Sequence, residues 1–304
     1  MPDMHSITAI IVLYQRTADR SPALQSLLRF LRSRTEPNTR IRVIVYDNSP
    51  NSQATPPAVS PNVTYYAAPE NGGLAPAYNL ALRQAIEQRS EWLLLLDQDT
   101  ELTDAYLQEM VALAESLSPN QSVAAVVPKL AWNGTVHSPE EHLFDQLRAQ
   151  FRHRSHAVSI SASGVQTHRL VAYNSGALLR VRALEAIGGF PSDFWLDYLD
   201  HAVFHMFAAR GCYIYIMQSV LAHPLAHTNP NQVPLWRERN VLSAQTLFVK
   251  RFGSFTDKLR YRLFLLRMSR QSFHDCRDRR VGLEKMLQAI LLRVPAFALG
   301  GANG

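Results

Sequence analysis

The sequence predicts an α/β fold built on a mostly parallel sheet, and three observations predict it. Strand-like and helix-like stretches alternate through the first 130 residues, the pattern of βαβ units. The run Trp92-Leu93-Leu94-Leu95-Leu96 is wholly apolar and stops at Asp97-Gln98-Asp99, as a strand buried on both faces does. Other apolar runs also end in polar residues, and in open α/β sheets ligands bind beyond the carboxyl ends of the strands.

Residues 7–14 form a β-rich apolar run and predict the first buried strand. Leu24, Leu27, Leu28 and Leu31 recur at helical spacing between Arg29, Arg32 and Arg34, so an amphipathic helix follows over 22–34. Residues 41–46 make a second strand that ends at Asp47-Asn48-Ser49, and 50–62, rich in Pro, Ser, Asn and Gln, read as loop. A short strand at 63–66, a turn at 69–74 and a helix over 75–89 lead into strand 92–96. Beyond the carboxylates come a helix at 103–117 and a strand at 123–127. Residues 131–168 are polar and weakly periodic and read as a variable, partly mobile region.

Strand-like 170–173 and 177–180 bracket Asn174-Ser175-Gly176, and a short helix at 182–187 closes at Gly188-Gly189. A helix at about 200–210 stops at Gly211, followed by strands at 213–216 and 220–223. From Pro234 the pattern is helical and basic. Leu283, Met286, Leu287, Ile290 and Leu291 make an apolar stripe there, beside Lys285 and Arg293. The organisation expected is one domain over 1–227, in two halves at 1–130 and 131–227. A basic α-helical region over 228–304 completes it.

Composition bounds the function. Hydrophobic content of 47% and charged content of 18% over 304 residues fit a globular protein with a sizeable core. No apolar stretch is long enough to span a membrane, and the N-terminal residues do not read as a signal peptide. Two distant cysteines, Cys212 and Cys276, argue against a disulfide framework and for a reducing, cytoplasmic setting. The charge is uneven: residues 228–304 carry 14 Lys+Arg against 5 Asp+Glu, while the first 227 carry 17 against 20. By charge alone such a basic tail can meet nucleic acid, an anionic membrane surface or phosphorylated ligands; of these, nucleic acid is not the partner expected once the whole sequence is read, and an oligomer is left open.

Gly72-Gly73 does not fit Gly-x-Gly-x-x-Gly, and the sequence has neither a P-loop nor a Gly-x-Ser-x-Gly turn, which disfavours dinucleotide, P-loop and serine-hydrolase chemistry. What remains is a set of polar groups at strand ends: Tyr14, Asp47, Asn71, Asp97 and Asp99. Singly, each is an ordinary loop residue. On one rim, a Tyr can stack on a base, an Asp can accept from ribose hydroxyls, and a carboxylate pair can hold a divalent cation that clamps a diphosphate. His201 and His205 are four apart, but without His-Glu-x-x-His they read as a packed or surface pair.

These segments, in order, resemble family 2 glycosyltransferases of GT-A fold, and among them the rhamnosyltransferase type. Ile11–Arg16 stands at the family's opening strand and turn, and Val43–Ser49 is similar to its Val-Asp-Asn-x-Ser segment. Asn71–Asn79 resembles its Asn-x-Gly-x-Ala-x-Ala-x-Asn element, and Leu95–Asp99 its Asp-x-Asp strand end. Asn174–Arg180 with Ile187–Phe190 resembles the acceptor-side block, and Arg210-Gly211 and Leu221–His223 follow in family order.

The resemblance implies roles, with residues 1–130 as the nucleotide-sugar half of the domain and 131–227 as the acceptor half. Tyr14 and Asp47 would hold base and ribose, Asn71 and Asn79 would shape the donor pocket, and Asp97 would face ribose or metal. Asp99 and His223 would bind Mg²⁺ or Mn²⁺ on the diphosphate. Arg239 could pair with the diphosphate, or belong to a basic helix face. Asp200 matches the base of an inverting transfer, or caps a helix, or both. Asp197 and Trp195 would meet the acceptor. Many relatives carry a second acid two positions after this Asp, and here that position is Ala202.

The expected reaction moves L-rhamnose from dTDP-L-rhamnose to a saccharide, carried on lipid, in cell-surface polysaccharide or O-antigen assembly. The basic C-terminal helices would lie on an anionic membrane surface. Three alternatives are weighed beside it: another donor such as UDP-galactofuranose or UDP-glucose, a nucleotidyltransferase, or a non-catalytic carbohydrate-binding scaffold. Tyr14-Gln15-Arg16-Thr17 lacks the Gly-rich basic loop of the second, and Asp99, Asp200 and His223 together speak against the third.

Overall fold

A computed structural model describes residues 5–34, 39–51, 62–151, 162–223, 235–274 and 279–292. Parts of some expected features lie outside the described residues: most of the loop at 50–62, residues 152–161 of the polar region, Cys276 and Arg293. The described residues fall into two compact units, one drawn from Met1–Glu140 and Ser159–Pro224, the other from Glu141–Val158 and Leu225–Gly304.

In chain order the elements begin β1 (His5–Leu13), α1 (Pro22–Ser33), β2 (Thr39–Asp47), β3 (Val63–Ala67), α2 (Leu74–Glu87), β4 (Trp92–Asp97) and α3 (Asp104–Ser116). Next are β5 (Val123–Trp132), β6 (Thr135–Ser138), β7 (Glu140–Glu141), α4 (Leu143–Phe151), β8 (Gly164–Gln166) and β9 (Leu170–Val171). β10 (Ala177–Arg180), α5 (Val181–Ala186), α6 (Leu199–Ala209) and β11 (Tyr213–Ala222) complete the first unit. Helix α4 belongs to the second, with α7 (Leu235–Phe252), α8 (Phe255–His274) and α9 (Arg279–Leu291).

The central sheet runs β3-β2-β1-β4-β10-β5-β11-β8, with β6 added on β5. β3, β2, β1 and β4 are mutually parallel, as are β5 and β11. This is the mostly parallel sheet that the alternation predicts. β10 departs from it, running antiparallel to both β4 and β5. The chain leaves β1 toward β2 on one side and returns to β4 on the other, so a topological switch point lies between β1 and β4.

Local chemistry fixes the elements. Helix α1 starts where the Ser21 hydroxyl accepts from the Leu24 N–H and Pro22 takes the first helical position. Its Leu24, Leu27 and Leu28 then bury against Ile7, Ala9 and Ile11 of β1, Leu94 and Leu96 of β4, and Leu107 and Met110 of α3. The expected strands 213–216 and 220–223 are one strand, β11, with a register shift between Ile216 and Val220. There Glu109 accepts the backbone N–H groups of Gln218 (2.7 Å) and Ser219 (2.9 Å), which would otherwise lose ladder partners.

A buried cation ties β10 to its surroundings. Arg180 is 2% exposed. It donates to Glu91 (2.9 Å) and to the carbonyls of Val123 (2.8 Å), Leu117 (2.8 Å) and Asn120 (3.1 Å), and lies over the Trp92 ring. Burial pulls its pKa down while Glu91 raises it. In the second unit, Phe144 of α4 packs on Phe248 of α7 with the rings tilted, and Thr246 meets the buried Tyr261 hydroxyl of α8 at 3.0 Å. Among the described residues no helix is long and apolar enough to cross a membrane.

Candidate active site

The strand register places the expected residues on one rim. Leu13 of β1 pairs with Asp47 of β2, and Val12 pairs with Asp97 of β4. Tyr14 therefore leaves the sheet beside both carboxylates. β11 runs parallel to β5, so His223, just past its end, leaves the sheet in the same direction. The antiparallel β10 starts at this rim: Gly176 N–H donates to Leu95 O at 2.9 Å, and Ser175 stands alongside Asp97.

Three side chains converge there. Asp97, Asp99 and His223 each offer a ligand atom, all within 4.8 Å of one another, and among the described residues no other three His, Cys, Asp or Glu do so. Two carboxylates and an imidazole suit Mg²⁺ or Mn²⁺. The ring nitrogen Nδ1 of His223 lies 2.8 Å from Thr100 Oγ1 and 3.3 Å from Ser175 Oγ, which leaves Nε2 for an ion. Ser175 Oγ also donates to Asp97 Oδ2. Burial pushes the Asp97 carboxyl up, Ser175 and His223 pull it down, and the charges of Asp99 and Asp200 add to the rise. Bringing a cation here relieves that strain on two like charges.

The residues expected on the donor side are held as follows. Gln98, between the two acids, clamps the strand ends: its Oε1 accepts from Tyr14 N–H (2.9 Å) and its Nε2 donates to Tyr14 O (3.2 Å). Asp47 is 1% exposed and uses both oxygens, on Ser49 N–H (2.9 Å) and Tyr65 Oη (2.6 Å). Asn79 spends its amide on the backbone of Phe190, donating to the carbonyl (2.8 Å) and accepting from the N–H (2.9 Å). Asn71 sits at φ 46° and its carbonyl accepts from Trp195 Nε1 at 3.2 Å. Gly73, at φ 86°, lets the chain pass so close that any Cβ would run into Trp195 O. That carbonyl accepts from Leu74 N–H at 2.8 Å. Trp195 thus joins the 71–74 turn to the segment leading into α6.

Asp200 is not the N-cap of α6. Tyr198 holds that place at φ 62°, and Asp200 lies in the first turn, where the helix dipole favours a carboxylate. Its Oδ1 accepts from the backbone N–H of His201 (2.7 Å) and meets the ring Nδ1 (2.9 Å). Oδ2 has no hydrogen bond from the described residues. His201 Nε2 faces Glu140 Oε1 at 3.6 Å, and Tyr198 covers the ring with centroids 4.3 Å apart. Burial alone would lower the His201 pKa, but Asp200 and Glu140 more than offset it and raise it to about 9. His201 and His205 are therefore not a metal pair: the first belongs to two carboxylates, and burial with Arg169 holds the second below its ordinary value.

Tyr78 of α2 lies within the field of both Asp97 and Asp200. It is fully buried on Phe190, its phenol is pushed well up by burial and by those two charges, and its hydroxyl has no partner among the described residues. Asp197 and Trp195 precede α6, half-buried. Arg239 stands in the second unit, where its guanidinium forks onto Glu284 (Nε to Oε2 3.0 Å). Sequence reasoning missed Ser175, Thr100, Gln98, His201 and Glu140 as site residues. Gln98 and Thr100 adjoin Asp97 and Asp99 in the sequence, which is the signal that could have found them; Ser175 is brought there only by the pairing of β10.

With this geometry in hand, comparison decides the family. The model for Glycosyl transferase family 2 matches residues 8–187. The chain belongs to that family. No curated protein matches the sequence. Among solved structures, the family 2 chain is similar to a mannosyltransferase, PcManGT from Pyrobaculum calidifontis, in complex with GDP-Man and Mn²⁺. The TM-score is 0.53 at 19% identity, over 82% of this chain and 65% of that one. It thus spans under two thirds of that mannosyltransferase. It is also similar to S. aureus TarS 1–349 (TM-score 0.50, 14% identity, 93% of this chain and 88% of that chain). A third is GalNAc-T7 with UDP, GalNAc and Mn²⁺ (0.55, 11%, 97% and 59%). At these identities the likeness establishes the GT-A fold, which the sequence resemblance implies.

Proposed function

We propose that this chain transfers a sugar from a nucleoside diphosphate donor to an acceptor hydroxyl, with inversion. The observation that carries the reading is the Asp97–Asp99–His223 group at the strand ends, with Asp200 near enough for its charge to raise the Asp97 carboxyl. Asp99 and His223, with Asp97, are the residues that would hold Mg²⁺ or Mn²⁺. A bound ion there supplies positive charge to the departing diphosphate. Tyr14 and Asp47 would meet base and ribose, Asp47 by exchanging its present partner Ser49 or Tyr65, and Asn71 and Asn79 would shape the pocket through the turns they brace.

Asp200 is the proposed base. The acceptor oxygen attacks the anomeric carbon, the bond from that carbon to the diphosphate breaks, and the acceptor proton passes to Asp200 Oδ2. His201, faced by Glu140 at its Nε2, positions that carboxylate by holding Oδ1, which leaves Oδ2 for the proton. Trp195 and Asp197 flank the acceptor side. The resemblance to rhamnosyltransferases supports dTDP-L-rhamnose as donor and a lipid-linked saccharide as acceptor, at the cytoplasmic face of the membrane. The solved relatives carry GDP-Man and UDP, so the donor has to be measured.

A thermal-shift screen of dTDP, UDP and GDP sugars with Mn²⁺ tests the reading. The largest stabilisation is expected from dTDP-L-rhamnose; a larger one from UDP-galactofuranose or UDP-glucose reassigns the sugar, and none from any reading of the set removes the donor site. Asp200→Asn should keep donor stabilisation and lower transfer by about 10²–10⁴-fold. Intact transfer in that variant places the base elsewhere.

A further inference from the structure

Helices α8 and α9 of the second unit turn apolar faces outward. On α8, Phe255, Leu259, Leu263 and Leu266 share one face and are exposed, Phe255 at 82%. On α9, Leu283, Leu287, Ile290 and Leu291 are exposed, the last two at 59% each, while Lys285 and Gln288 point inward and are buried. A helix lying on a protein core does the reverse. Single exposed leucines need no explanation, but two neighbouring helices with apolar outer faces mark a contact surface.

Charge identifies what covers it. Lys258 and Arg262 flank the α8 stripe on one side and Arg267 on the other, with Arg270 near its far end. The carboxylates of the two helices are turned inward or used: Asp257 is 3% exposed and bonded to Arg148, Arg260 and Ser254, and Glu284 is paired with Arg239. An apolar face rimmed by cations fits the headgroup boundary of an anionic bilayer, where leucines enter the acyl edge and lysines and arginines meet phosphates. A second copy of the chain fits less well, because a two-fold contact would oppose the two basic rims.

We propose that α8 and α9 dock on an anionic lipid surface, through Phe255, Leu259 and Leu263 on one helix and Leu287, Ile290 and Leu291 on the other. The contact is interfacial and peripheral, since neither helix can cross a bilayer. This sharpens the expectation that the C-terminal helices meet a membrane, by naming the face, and it rests on no assumption about the active site.

The full chain is mixed with phosphatidylcholine vesicles, with and without phosphatidylglycerol, at low and high salt, and sedimented. Binding is expected only with phosphatidylglycerol, weakening as salt rises. The double variant Leu287→Ser/Ile290→Ser, both sites exposed, should lose at least about tenfold in vesicle affinity while keeping its circular dichroism and its Mn²⁺-dependent thermal shift. No binding of the unaltered chain to anionic vesicles at low salt overturns the proposal, as does equal binding by the variant. A dimer in light scattering that the same variant converts to monomer, with vesicle binding unchanged, also overturns it and assigns the face to a second copy. Donor stabilisation on the same preparations reports separately on the glycosyl-transfer reading.

Discussion

Replacing His201 by Gln should make stability less dependent on pH, with a sign and size set by its two carboxylate neighbours. The imidazole lies between Asp200 Oδ1 (2.9 Å) and Glu140 Oε1 (3.6 Å), and its pKa rises to about 9. In the unfolded chain it is about 6.5. A group with a raised folded pKa stabilises fully below its unfolded value and loses that stabilisation as pH rises through the folded value. The full contribution is about 3 kcal/mol below pH 6.5, from about 1.4 kcal/mol for each pH unit separating the two pKa values. About 2 kcal/mol remains at pH 7.5 and almost none above about pH 9. Urea unfolding of both proteins in steps from pH 6 to 9.5 measures it, and the difference between them cancels titrations they share. The gap should shrink by about 1.4 kcal/mol per pH unit through the window and close near pH 9. Parallel curves across the whole range would refute the clamp on Asp200.

Three further outcomes follow from named contacts. Thr100→Val removes the hydroxyl at His223 Nδ1 and should weaken Mn²⁺ binding by calorimetry about 10–100-fold; Asp99→Ala should abolish it. Arg180→Met strands Glu91 and three backbone carbonyls and should cost about 3–5 kcal/mol in urea unfolding, well beyond an ordinary surface change. Gly73→Ala drives a Cβ into Trp195 O at a positive φ and should lower stability by at least about 2 kcal/mol, and with it the donor-induced thermal shift.

Legibility in the sequence followed the range of the interactions. Asp47 and Asp97 could be placed on one rim because each directly ends an apolar run, with Asp99 two residues on, and parallel strands send such ends the same way. The direction of β10 could not be read. Ala177–Arg180 looks like any short strand, and only its pairing with β4 and β5 sets it antiparallel and brings Ser175 to Asp97. Helix α4 was hidden for a different reason: it is nine residues long in a polar region, and buries only Leu143, Phe144 and Leu147. Asn79 shows the limit in another form. Its identity fits a donor-pocket residue, yet its amide is spent on Phe190, more than a hundred residues away.

The proposed base, Asp200, joins these threads. By resemblance, position 202 is where many relatives carry a second acid, and here Ala202 is fully buried in α6. The negative charge is present nonetheless, supplied through space: Glu140 reaches His201, which reaches Asp200. A half-buried imidazolium between two carboxylates can persist because each neighbour offsets the desolvation that would otherwise discharge it. Removing Glu140 therefore acts on Asp200 only through His201. Glu140→Gln should lower the His201 pKa and shift the alkaline limb of transfer to lower pH, with little change in donor binding, whereas in His201→Gln the further loss of Glu140 should change that limb no more. Additive shifts in the double variant would mean that Glu140 and His201 act separately.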